Sequence, residues 1–249
     1  MQSNPIILFT VIVIFGLIVL GMIALVVSFA RNSTKKKEKI AKALGLSITD
    51  DTNKLLGRVL HINGYSNTGI YLLSEVFYRR HAQGGEVYYF DLLSHSLAHA
   101  GNGKRKSSFH TTEASVLGFV SPMWNLPLFK TFPKLGDGKV SELGNKAAEA
   151  ALDIKFELIK SPHIPNLDEL YLISTPASSA EQIHLPDGFL RALASHPGLN
   201  IHVGGDTMTI SYYDMSASPN EQKMLTLYKI GLKLARELQP LQITKKRTQ

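Results

Sequence analysis

Leu199-Asn200-Ile201-His202-Val203-Gly204-Gly205-Asp206-Thr207-Met208-Thr209-Ile210-Ser211-Tyr212 is the stretch whose reading decides the fold. Leu199, Ile201 and Val203 alternate with other residues, as do Met208, Ile210 and Tyr212, and Gly204-Gly205-Asp206 stands between the two runs. Alternation at period two marks a half-buried strand, and a glycine-rich break joins two such strands as an antiparallel hairpin. Just ahead of it, Asp187 to Ser195 reads as a helix closed by His196-Pro197-Gly198. Behind it, Ser218-Pro219-Asn220-Glu221 combines an N-cap, a proline at the first helical position and a capping-box glutamate. The helix starting there runs to about Leu238, with Leu225, Tyr228, Leu232 and Ala235 on one face, and stops before Pro240. These elements predict an α+β domain with a mainly antiparallel sheet and a C-terminal amphipathic helix.

The chain upstream fits that class. Ile70 to Tyr78 and Glu86 to Leu92 are rich in aromatic and branched residues, as a pleated, half-buried surface prefers, and the paired glycines of Arg79 to Gly85 suit a hairpin connection. After a loop from Ser94 to Ser108, the run Phe109 to Val120 completes a meander. Pro122, Trp124, Pro127, Phe129, Phe132 and Pro133 read as a packed connector. Val140 to Ile159 supports two readings, a helix over Lys146 to Leu152 and a strand in Ile154 to Leu158. Leu170 to Ser174 reads as a strand, and Ser178 with Glu181 as a capping box for a short helical turn. Nearer the N-terminus, Thr34 to Leu44 predicts a Lys-rich helix stopped by Gly45 and lying near a membrane surface. Thr49 to Thr52 cap a helical turn through Leu55, Leu56 and Val59, which the turn-rich segment His61 to Gly69 ends.

Ile6 to Ala30 contains no charged residue and is dense in Ile, Leu, Val, Phe and Met, so it predicts one transmembrane helix. A cleaved signal peptide is the rival, with Ser28-Phe29-Ala30 as a faint cleavage site. Its basic leader is missing from Met1 to Pro5, and its apolar run is shorter. A buried core helix, apolar all round at this length, is the third reading. The organisation expected is a short outer N-terminus (1–5), a span (6–30), a basic juxtamembrane linker (31–46), a soluble domain (47–239) and a basic flexible tail (240–249). Arg31, Lys35, Lys36, Lys37, Lys39 and Lys42 follow the span and no basic residue precedes it. The positive-inside rule then places the chain in the plasma (inner) membrane, N-terminus out and C-terminal domain in the cytoplasm.

The formal charge of +7 is confined to the two ends of the chain. Residues 31–42 carry six positive charges and one negative, and Lys245, Lys246 and Arg247 add three, which leaves the body close to neutral. That argues against a nucleic-acid footprint spread over a domain face. It favours the bilayer as partner, with Arg31, Lys35, Lys36, Lys37, Lys39 and Lys42 touching anionic lipid head groups; the competing reading is that they only set topology.

There are no cysteines, which removes disulfides, thiolate zinc sites and cysteine nucleophiles. A phosphate-binding loop fails at Gly138-Lys139, followed by Val140 with Pro133 at the first glycine position, and at Gly103-Lys104, followed by Arg105 with Ala98 there. Gly64-Tyr65-Ser66-Asn67-Thr68-Gly69 has one residue too many for a nucleophile elbow. His95 and His99 are four apart, but on a strand end four residues span roughly 13 Å, too far for one zinc. A third ligand would come from His81, His110 or Glu113. The expectation is no metal, no cofactor and no catalytic set.

The order of membrane span, basic linker, "ALGL", a strand ending in Tyr89-Phe90-Asp91, a Tyr171-Leu172 strand, "LPDGFLRALASHPGLNIHVGGDTMTISYY" and a final helix resembles a family of uncharacterised bacterial single-pass membrane proteins. The match covers most of the chain after Leu44 and is most specific over Phe189 to Tyr213. It departs at Leu92-Leu93, where family members often carry Arg or Tyr. The resemblance implies a fold and a topology, and no catalytic residues. Two function classes follow: a membrane-tethered interaction or scaffold module that binds a partner protein or itself, and a membrane-associated hydrolase or metal-dependent enzyme whose His, Asp and Glu residues the fold would gather.

Overall fold

The computed structural model describes residues 15, 18–22, 28, 32–63, 69–81, 84–98, 108–134, 156–178, 183–213 and 220–239, with 63, 69–75, 93–98, 108–113 and 156 described as backbone only. Among these residues the strands are β1 (Ser47–Thr49), β2 (Gly69–Arg80), β3 (Glu86–Ala98), β4 (Ser108–Val120), β5 (Leu126–Pro133), β6 (Phe156–Leu158), β7 (Tyr171–Pro176), β8 (Leu199–Gly205) and β9 (Thr207–Tyr212). The helices are α1 (32–43), α2 (Asn53–Asn63), α3 (Leu167–Leu170), α4 (Asp187–Ala194) and α5 (Glu221–Glu237). The strands form one antiparallel sheet in the order β1-β2-β3-β4-β9-β8-β5-β7-β6. The α+β class, the meander β2-β3-β4 and the hairpin β8-β9 are as the sequence predicts. The hairpin turns at Gly205-Asp206, where Gly205 takes φ +60°, a region that costs a side chain energy and glycine nothing.

The sheet separates two cores because successive side chains on a strand face opposite ways. Val87, Tyr89, Leu117 and Phe119 belong to the larger core, together with Ile40, Ala41 and Leu44 of α1, Phe189, Leu190 and Leu193 of α4, and Met224, Leu227 and Leu234 of α5. Tyr88, Phe90, Val116 and Val120 belong to the other, closed by Leu55 and Val59 of α2. The residues 31–46, expected as a linker, thus contribute Ile40, Ala41, Leu44 and Leu46 to the main core.

Three expectations are corrected. The segment around Phe129, expected as a connector, is the strand β5, paired with β8 on one side and β7 on the other. Prolines argue against a central strand, but Pro127 sits where the register shifts between Leu126 and Phe129, so its missing N–H falls in a bulge, and Pro133 is the terminal residue. Helix α5 is capped by Asn220, whose side chain accepts from the Gln222 amide at 2.7 Å, and not by Ser218. Its buried residues are Met224, Leu227, Ile230, Gly231, Leu234 and Ala235, with Leu238 just past its end; of the expected face Ala235 is buried, and Leu225, Tyr228 and Leu232 lie at the margin. A Cβ at Gly231 would overlap the ring of Phe119, so the aromatic occupies the notch that glycine leaves. Finally, β3 extends through Ala98 and α2 through Asn63, into segments expected as loop and turn.

Among the described residues no helix is long and apolar enough to cross a membrane. Most of the expected span 6–30 lies outside the described residues, as do the tail 240–249, the helical reading of Lys146 to Leu152 and the capping glutamate Glu181.

Candidate functional site

A half-open groove of about 770 Å³ lies between the C-terminal half of α5, the start of β3, the end of β4 and the turn leading to β5. Val87, Phe119, Val120, Leu232 and Ala235 line its walls. Trp124 and Met123 also line it, Trp124 packing against the main core and Met123 72% exposed. The turn that presents them is held by two backbone bonds, from Ser121 N to the Asp206 carbonyl at 2.9 Å and from Trp124 N to the Ser121 carbonyl at 3.0 Å. His81, Glu86 and Arg236 are the titratable groups on the rim.

Glu86 has its carboxylate engaged within the fold. It accepts from Arg58 Nη1 at 3.2 Å and from the Tyr88 hydroxyl at 2.9 Å. Arg58 of α2 also donates through Nε and Nη2 to Asp206 at 3.1 and 2.9 Å, which fastens the β8-β9 turn to α2. Burial, reinforced by the Glu86 carboxylate it bonds, pushes the Tyr88 hydroxyl well above the usual tyrosine range, so it stays a donor at any physiological pH.

The second notable place is where α1 meets the sheet. Asp91 of β3 is buried in the otherwise apolar face, its Oδ1 accepting from Ser115 Oγ at 2.5 Å and its Oδ2 paired with Lys37 Nζ. A buried charge is tolerated only with such compensation. Lys39 reaches Glu221, in the first turn of α5, at 2.9 Å. Arg79 of β2 lies against the end of α1 at Gly45 and donates to the Tyr228 hydroxyl of α5 at 2.8 Å. Of the six cations expected to meet lipid, Lys37 therefore faces the body, Lys35, Lys36, Lys39 and Lys42 are exposed, and Arg31 lies outside the described residues.

The third is a polar row on the α2 side of the sheet. Ser174 of β7, Lys130 of β5, His202 of β8 and Thr209 of β9 stand opposite one another, rung by rung. Burial alone pulls the Lys130 ammonium down to about 8, and burial with the Lys130 charge beside it pulls the His202 imidazole down to about 3. Phe132 packs edge-on against the His202 ring at 5.7 Å. The sequence pattern points to neither residue, since Lys130 sits in the run that reads as a connector and His202 in an ordinary alternation. The signal was present: a lysine between Phe129 and Thr131 in an apolar run.

His95 pairs with Thr111 and His110 with Ser96, on neighbouring rungs of the β3-β4 ladder, while His81 lies at the far end of the strands and His99 lies outside the described residues. No group of three or more His, Asp or Glu side chains able to hold a metal ion occurs among the described residues.

No protein-family model matches the chain. No curated protein matches it in sequence. Its backbone is similar to the crystal structure of the mycobacterial trehalose monomycolate transport factor A, TtfA, with a TM-score of 0.45 and 13% identity, over 85% of this chain and 94% of that one, a likeness that assigns neither activity nor partner.

Proposed function

We propose that this chain is a membrane-tethered interaction module, with the single-pass topology that its resemblance implies. Residues 6–30 cross the bilayer with the N-terminus outward, and the α+β body stands on the cytoplasmic face, where its groove takes a partner protein or a second copy. The groove carries the binding half of this reading. Val87, Phe119, Val120, Met123, Trp124, Leu232 and Ala235 give it a mainly apolar lining, and its one carboxylate, Glu86, is engaged by Arg58 and Tyr88. A surface of that kind gains by covering apolar area. The tether is supported by the uncharged stretch itself, in which Phe15, Ile18, Leu20 and Met22 are 67%, 54%, 64% and 58% exposed and so call for an apolar cover.

Two measurements test it. A photo-crosslinking residue at position 123 of the full chain, irradiated in native membranes, is expected to yield one dominant protein adduct that Leu232→Glu abolishes while the circular dichroism spectrum is retained. Adducts spread over many proteins, or unchanged by Leu232→Glu, would refute the groove. A reporter active only outside the cytoplasm, fused after Gln249, should be silent; strong activity reverses the topology.

The enzymatic reading has one observation in its favour, the Lys130 amine with its lowered pKa on the same rung as Ser174, whose buried hydroxyl makes no hydrogen bond among the described residues. A serine brought within hydrogen-bond reach of a partly neutral lysine would pair a hydrolytic nucleophile with its base. Covalent labelling of Ser174 by a fluorophosphonate, lost in Lys130→Met, would establish it; a chain that stays unlabelled leaves the binding module.

A further inference from the structure

The helix that leaves the apolar stretch has two opposed faces. At about 100° per residue, Lys37, Ile40, Ala41 and Leu44 fall on one side of α1, and Lys35, Lys39 and Lys42 fall on the other. The first set is the docked side: Ile40, Ala41 and Leu44 are core residues, and Lys37 pairs with the buried Asp91. The second set is exposed, including Lys39, whose side chain is 77% exposed although its ammonium reaches Glu221. Lys36 is exposed beside the stripe, and Glu38 is the one acid of the run. A loose basic linker would offer all its cations equally to any anion. A docked helix sorts them.

We infer that the stripe Lys35-Lys39-Lys42 of α1 is the surface that binds anionic lipid head groups, and that Lys37, from the same basic run, takes no part in it. This rests on the membrane-tethered reading above and adds which face of the body meets the bilayer. Two facts favour lipid over other polyanions. The stripe begins five residues after Ala30, the end of the expected span, so it lies within reach of the head-group layer on the side the span leaves. It is also one short line of three ammonium groups on an otherwise nearly neutral body, whereas a nucleic-acid footprint tracks a backbone across a domain face. Because the opposite side of α1 is packed into the core, binding here would fix the orientation of the whole sheet.

The full chain is placed in nanodiscs of phosphatidylcholine alone, or with about a third of phosphatidylglycerol, and its lysines are acetylated with an amine-reactive ester and followed by mass spectrometry. Lys54, on the opposite face of the sheet, serves as internal reference. Lys35, Lys39 and Lys42 should react about fivefold more slowly in the anionic discs, recover at high salt, and leave Lys37 slow in both. Equal rates in the two discs, with the protein incorporated, would overturn the head-group surface and leave the tether standing. Slowing of Lys37 along with the stripe would overturn the sorting by face. Protection by an added oligonucleotide in neutral discs would assign the stripe to nucleic acid instead. Protein recovered outside the discs would remove the tethered reading itself, and this inference with it.

Discussion

Lys37 of α1 and Asp91 of β3 form an ion pair across the seam between the N-terminal helix and the sheet, and Ser115 completes the carboxylate's shell at 2.5 Å. Truncating either partner alone leaves a buried charge uncompensated, which costs about 3–5 kcal/mol. Lys37→Met and Asp91→Leu are therefore each expected to lower the urea midpoint strongly, and the double variant to recover most of the loss. Additive single effects would show that the two side chains are not coupled.

His202 gives the fold an acid limit. Its folded pKa of about 3 lies below the ordinary 6.5, so between those values the unfolded chain binds the proton and the folded one does not. Stability from this residue is complete above pH 6.5 and is lost as pH falls towards 3, by an amount on the order of a few kcal/mol. His202→Phe, which keeps the contact with the Phe132 ring, should flatten the stability profile between pH 6.5 and 4; an unchanged slope would contradict the assignment.

Lys130 acts at the alkaline end. Its folded pKa of about 8 lies below the ordinary 10.5, so the unfolded chain again holds the extra proton, and stability rises as pH climbs from 8 towards 10. Chemical unfolding of Lys130→Met across that range should show the rise removed, leaving the fall that the raised pKa of Tyr88 and Tyr89 imposes at higher pH.

Gly231 should reverse a general rule. Glycine to alanine inside a helix usually gains up to about 1 kcal/mol, but here the new methyl would meet the ring of Phe119. Gly231→Ala is expected to destabilise by about 1–3 kcal/mol and to displace Phe119, which also lines the groove. A higher melting temperature would show that the ring turns aside freely.

Local patterns carried much of the fold. The β8-β9 hairpin, the meander and α4 were legible because alternation, glycine placement and the His196-Pro197-Gly198 stop all agree locally. β5 was not, because its two prolines are tolerated for a reason that exists only in three dimensions, a register shift against β8. The centre of the α5 face is less legible for a similar cause: counting apolar residues discards a glycine, and Gly231 is where the ring of Phe119 packs against the helix. The candidate site was less legible still. The groove is assembled from three separated segments, 81–87, 119–124 and 232–239, the row Ser174-Lys130-His202 requires a strand order that no local pattern encodes, and Asp91 reads in sequence like any exposed carboxylate.

The chain contains a single tryptophan, Trp124, and it lines the groove. Its indole emission therefore reports on one place in the molecule, so the unmodified protein already contains an optical gauge of whether that cleft is filled or empty.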